Sequence, residues 1–90
     1  MGRVTRAELA ALTDIRGYAS AGRISLTTHA RARMVQRKVK PSDVRSALVS
    51  AATCRQQANG TWKATGPDMD GDALDLVVAI EAGLLVVTVF

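Results

Sequence analysis

His29, Arg33 and Arg37 recur at four-residue spacing in the stretch from Thr27 to Leu48, which holds the chain's only histidine among a dense set of arginines and lysines. Thr27 and Thr28 are both good helix caps, and the residues after them read as a helix up to about Lys38, so His29 falls in the first turn. Each step of four residues advances about 40° around a helix, which puts the three side chains on one gently drifting stripe. Ala32, Val35 and Val39 gather on a different face, the side expected to pack inward.

One imidazole beside two guanidiniums can be weighed against what metal-independent RNA cleavage requires. That reaction needs a base for the 2′-hydroxyl proton, cations for the phosphorane, and an acid for the leaving 5′-oxygen. Arg33 and Arg37 fit the phosphate role, because guanidiniums hold phosphate oxygens bidentately and stay charged. A single histidine excludes a paired-histidine mechanism, so the second proton must come from Lys63, Tyr18, an acid such as Asp75, or water. The structural alternative is that His29 bonds a backbone carbonyl or covers a core edge, and that the arginines are solvated or paired with Asp43 or Asp75.

The charge distribution favours a polyanionic partner. All twelve Lys and Arg residues lie between Arg3 and Lys63, with only three acids among them (Glu8, Asp14 and Asp43), whereas five acids and no base follow Ala64. A basic half of this kind attracts nucleic acid, to which Arg31, Lys38 and Lys40 would add phosphate contacts and Arg55 with Trp62 a basic stacking position. One cysteine, Cys54, excludes an internal disulfide framework and zinc-finger spacing, and suits a reducing cytosol. Charges interrupt MGRVTRAELAAL where a signal peptide needs its apolar core, so this stretch reads as part of the mature domain. The most apolar run, Leu76 to Phe90, is too short and too β-branched for a spanning helix.

The elements that must position these residues follow from periodicity. Thr5 and Glu8 form a T-x-x-E capping box, and Leu9, Leu12, Ile15 and Ala19 recur at helical spacing, which predicts a first helix from Thr5 to Ser20 ended by Gly22. Ile24 and Leu26 form a short extended segment leading into the basic helix. Pro41 stops that helix and Ser42 caps a third, whose buried side is Val44, Leu48 and Ala47 or Ala51.

After Ala52 the pattern turns to period two. Asn59-Gly60 predicts a two-residue hairpin turn with positive φ at both positions, pairing Gln57 with Trp62 and Arg55 with Ala64. Arg55 and Trp62 would then share one face, with Cys54, Lys63 and Thr65 on the other. Gly66 to Asp72, GPDMDGD, reads as turn chemistry throughout. Its three aspartates depart from the calcium-loop signature after the start, so a hairpin loop is expected and no metal. A strand from about Ala73 to Glu81 turns at Ala82-Gly83 into a last strand, Leu84 to Phe90. That register pairs Ile80 with Leu85, Val78 with Val87 and Leu76 with Val89 on a uniformly aliphatic face that should carry the helices. Helices followed by an antiparallel meander make the fold class α+β.

His29-x-x-x-Arg33-x-x-x-Arg37, the following P-S-D-V, the segment W-K-A-T-G-P-D-M-D-G-D and the terminal V-V-T-V-F resemble a family of short bacterial chains catalogued as domain of unknown function 4258. The resemblance covers about Ile24 to Phe90. That family is similar to the RelE and MqsR class of toxin-antitoxin ribonucleases. Ninety residues make one small domain, 1–90, in which the resemblance implies a RelE-like core (24–90) of helices packed on one face of a small antiparallel sheet, with the N-terminal helix (1–22) as an extra element. The resemblance further implies a cytoplasmic endoribonuclease toxin acting on messenger RNA, free or on the ribosome, with a cognate antitoxin, no cofactor and no membrane. The catalytic roles it carries over fall on His29, Arg33, Arg37, Lys63 and Thr88. The alternative is a non-catalytic module that binds nucleic acid or protein with the same basic helix.

Overall fold

Thr5 opens the first helix as its N-cap, its hydroxyl accepting from the Glu8 amide (3.0 Å) while the Glu8 carboxylate accepts from the Thr5 amide (2.9 Å). This closes the expected capping box. The computed structural model describes residues 5–90; the first four residues of the MGRVTRAELAAL stretch lie outside them. The elements run α1 (Arg6–Ser20), β1 (Ile24–Leu26), α2 (Thr28–Arg37), α3 (Pro41–Val49), β2 (Thr53–Gln56), β3 (Trp62–Pro67), β4 (Ala73–Glu81) and β5 (Gly83–Val89). The strands form one sheet in the order β1-β5-β4-β3-β2. The fold is α+β, as expected, with one correction. The sheet is mixed, because β1 pairs parallel with β5, Ile24 opposite Leu84 and Leu26 opposite Val86.

Alternation along the strands sends Cys54, Ala64, Leu74, Leu76, Val78, Leu84, Val86 and Val89 to one buried face. Against it lie Leu12, Ile15 and Ala19 of α1 and Val44, Ala47 and Leu48 of α3, all in one core cluster. Leu9 departs from the expected stripe and is 54% exposed. On α3 the cap is also corrected. Lys40 is the N-cap, Pro41 takes the first helical position and Asp43 accepts from the Lys40 amide at 3.0 Å, so Ser42 lies inside the helix. Pro at that position forfeits only an amide that has no intrahelical partner.

Both hairpins differ from the predicted register. Gln56 pairs with Trp62, Arg55 with Lys63 and Cys54 with Ala64. The loop is three residues long, with a Gly60 amide to Gln57 carbonyl bond (3.0 Å), a Gln57 amide to Thr61 carbonyl bond (2.7 Å), and positive φ at Gly60 but not at Asn59. Asn59 instead turns its side chain on Thr61, accepting from the hydroxyl at 2.6 Å. The extra loop residue slips the pairing by one, and with a side-chain period of two that slip reverses the facing of one strand relative to the other. Arg55 therefore sides with Lys63 and Thr65, and Trp62 with Cys54 against the core.

In the last hairpin Glu81 pairs with Gly83, Ile80 with Leu84 and Val78 with Val86, before a bulge at Val77/Val78 restores Leu76 opposite Val89. The inward residues of β5 are accordingly Leu84, Val86 and, past the bulge, Val89, in place of the expected Leu85, Val87 and Val89. Gly66 and Pro67, expected in a turn, end strand β3. A Cβ on Gly66 would lie 2.8 Å from the Ala47 carbonyl carbon, so glycine is what lets α3 approach this strand.

Candidate nucleic-acid interface

β1 covers the edge of β5 only as far as Val86, and α2 takes over from there. The Thr27 amide donates to the Val86 carbonyl (3.0 Å), the Thr27 hydroxyl to the Val87 carbonyl (2.9 Å), and Arg33 Nε to the Val89 carbonyl (3.2 Å). These donors satisfy a strand edge that would otherwise present bare carbonyls. The helix thereby lies along the C-terminal half of β5. Ala30 and Met34 are its buried residues, whereas Ala32 is exposed, Val35 is 80% exposed and Val39 only half-buried. This corrects the predicted inward face: Ala30 and Met34 point about 150° away from it on the helical wheel. The His29, Arg33 and Arg37 stripe borders the core on the β5 side, with His29 and Arg37 exposed and Arg33 half-buried.

Opposite the helices, one face of the sheet is open. Thr88, Val77, Lys63 and Arg55 follow one another across β5, β4, β3 and β2 on that face. The Lys63 ammonium reaches over β4 and sits 4.7 Å from the centre of the Phe90 ring, which is 47% exposed. The Phe90 amide donates to the Asp75 carbonyl at 3.0 Å, and the Asp75 carboxylate accepts from the Thr65 hydroxyl at 2.6 Å. Lys63 and Phe90 thus meet at the end of β5, Thr88 lies on the same sheet face as Lys63, and Arg33 is fixed on the carbonyl of Val89. Nothing in the sequence spacing of Lys63 or Phe90 signalled that contact; it arises from strand order.

Other predicted residues fall elsewhere. Arg55 starts on the open face but lines a shallow recess at the β2 edge with Thr5, Glu8 and Trp62. Its charge adds to the Thr5 backbone and hydroxyl bonds that hold the Glu8 carboxyl below its ordinary value. Arg31, Lys38 and Lys40 lie on the far side of α2, away from His29. Tyr18 sits near the opposite end of β5, 5.8 Å from the Arg23 guanidinium, so it is no partner for His29. Sequence reasoning also treated the arginines as one basic surface, whereas Arg16, Arg23 and Arg45 donate to the carbonyls of Ala51, Ala82 and Ser20.

The acidic loop folds on itself. The Asp68 carboxylate accepts from the amides of Asp70 (2.8 Å) and Asp72 (2.9 Å), a turn between β3 and β4 as expected. Among the described residues no group of three or more His, Cys, Asp and Glu side chains could hold a metal ion. Cys54 is buried, donates to the Glu8 carbonyl (3.3 Å), and has its thiol pKa pushed up by burial and by the Glu8 charge, which makes it a poor nucleophile. No described helix is long and apolar enough to cross a membrane. The chain matches no protein-family model, no curated protein and no solved structure.

Proposed function

We propose that the protein binds single-stranded RNA at the β5 end of its open sheet face and cuts it as a metal-independent endoribonuclease, the toxin of a cytoplasmic toxin-antitoxin pair with a RelE-like core. The carrying observation is the Lys63 ammonium over the Phe90 ring at the end of β5, with Thr88 on the same sheet face as Lys63 and Arg33 bonded to the Val89 carbonyl. A strand lying there would find an aromatic ring for one base and cations for the adjoining phosphate, the combination that single-strand binders use. The Arg33 Nε is held by Val89, which leaves its Nη2 donors for phosphate oxygens.

In this mechanism His29 takes the 2′-hydroxyl proton, the 2′-oxygen attacks phosphorus and the bond to the 5′-oxygen breaks. Lys63 or water returns a proton to that oxygen, and Arg33, Arg37 and Lys63 offset the phosphorane charge. Thr88 positions a phosphate oxygen with its hydroxyl. The messenger RNA substrate and the cognate antitoxin come from the family resemblance. The non-catalytic module is the second reading. It is favoured by the bond from Arg33 to Val89, which gives that guanidinium a structural task.

Incubating the purified chain with RNA in chelator, and inducing it in bacteria without a partner, separates the two readings. Cleavage with cyclic phosphate ends, reduced about 100-fold or more by His29→Ala, is the expected result. Intact RNA with salt-sensitive binding leaves the binding module alone, and RNA that neither binds nor breaks sinks both.

A further inference from the structure

Arg31, Lys38 and Lys40 ring a groove of about 410 Å³ on the flank of α2 that faces away from His29. Its floor is apolar, made by Leu26, Met34, Val39 and Pro41, and no acidic side chain lines it. Val35 stands at its edge, 80% exposed, more than any other exposed large hydrophobic residue among those described. A β-branched aliphatic side chain this exposed beside an apolar hollow is the pattern of a surface that another chain covers.

We propose that this groove docks an acidic amphipathic segment of a separate protein chain, with its apolar stripe on Leu26, Met34, Val35 and Val39 and its carboxylates on Arg31, Lys38 and Lys40. Charge complementarity selects this occupant. Arg31 and Lys38 are seven residues apart, about 10 Å along the helix direction, and Lys40 follows at the N-cap of α3. Acids two turns apart on a partner helix meet that spacing while the residues between them fill the hollow. RNA fits less well, because the lining has no aromatic ring for a base and an apolar floor gives its sugars and phosphates no hydrogen bond. The inference stands apart from the ribonuclease reading, since none of its residues belongs to the β5 site proposed above.

The probe is a synthetic peptide with leucines at helical spacing and glutamates elsewhere, titrated into the full chain and followed by NMR. A scrambled peptide of the same composition and a single-stranded oligouridine serve as comparators. The leucine-glutamate peptide should move the signals of Met34, Val35 and Val39 and leave Lys63 and Phe90 in place. Val35→Glu, at a position exposed enough to leave folding intact, should weaken binding about tenfold or more, and Arg31→Glu should weaken it while flattening its salt dependence. Unchanged affinity in Val35→Glu, equal binding of the scrambled peptide, or no shift at the groove overturns the proposal. Oligouridine moving the groove signals in place of the peptide also overturns it and assigns the surface to nucleic acid.

Discussion

Lys38 is the one non-glycine residue with positive φ (55°) among those described, and it closes α2 by letting the Val39 amide reach the Met34 carbonyl at 2.8 Å. The left-handed conformation suits glycine better, and the Lys38 side chain supplies none of the closing bonds. Lys38→Gly should therefore raise stability by up to about 1 kcal/mol in denaturant titration. Asp43 is a second residue whose task is local. Its two oxygens accept from the amides of Lys40 and Met69, both at 3.0 Å, tying the start of α3 to the β3–β4 loop. Those bonds, the Lys40 one first, hold its carboxyl below the ordinary value of 3.8. A carboxylate with a depressed folded pKa stabilises the fold above its unfolded pKa and loses that contribution as pH falls through the folded value. Stability should thus drop as pH is lowered below about 4, and Asp43→Asn, less stable at neutral pH, should show a shallower drop. Equal acid sensitivity in the two proteins would show that Asp43 is not responsible.

Elements were legible where a local rule acts alone. The capping box of α1, the threonine cap of α2 and the buried side of α3 needed only neighbouring residues, and each stands where periodicity put it. The hairpins required more. One extra residue in the Asn59-Gly60 loop decides which face β2 presents, and the tight turn that pairs Glu81 with Gly83 decides which residues of β5 point inward before the bulge beside Val77 restores the expected pairing. Gly66 illustrates the same limit. Its dipeptide with Pro67 signals a turn, yet in the fold it is the place where α3 presses on β3, with Ser46 donating to the Pro67 carbonyl at 3.0 Å. Gly66→Ala should destabilise the protein by about 2 to 3 kcal/mol, because both sides of the contact are backbone and neither has a rotamer to give way. Thermal unfolding would measure this, and a neutral result would mean that α3 can shift outward at no cost.

On the scale of the whole molecule, the basic half of the sequence is divided by the fold into three parts. Arg16, Arg23, Arg33 and Arg45 cap carbonyls, Arg31, Lys38 and Lys40 ring an apolar groove, and Lys63 crosses the open sheet to Phe90. Lys63 belongs to the proposed RNA surface, together with His29, Arg37 and, from the carbonyl-capping group, Arg33. Removing one phosphate contact from a single-strand binder lowers the salt slope by about 0.7. Lys63→Ala should show that change, whereas Arg45→Ala, whose guanidinium serves Ser20, should leave the slope as it is. Equal effects would mean that RNA sees net charge and no particular face.

The amino-acid order by itself determined the α+β class, the three helices and the N-caps of α1 and α2, because helix initiation and helical periodicity are read from residues within a few positions of each other. It also marked His29, Arg33 and Arg37 as one stripe. What the tertiary structure decided is which strand that stripe adjoins and which residue Lys63 meets. β1 pairing parallel with β5 lays α2 along the free end of that strand, and strand order carries Lys63 across to Phe90. These are contacts between residues far apart in the chain, and no local propensity encodes them.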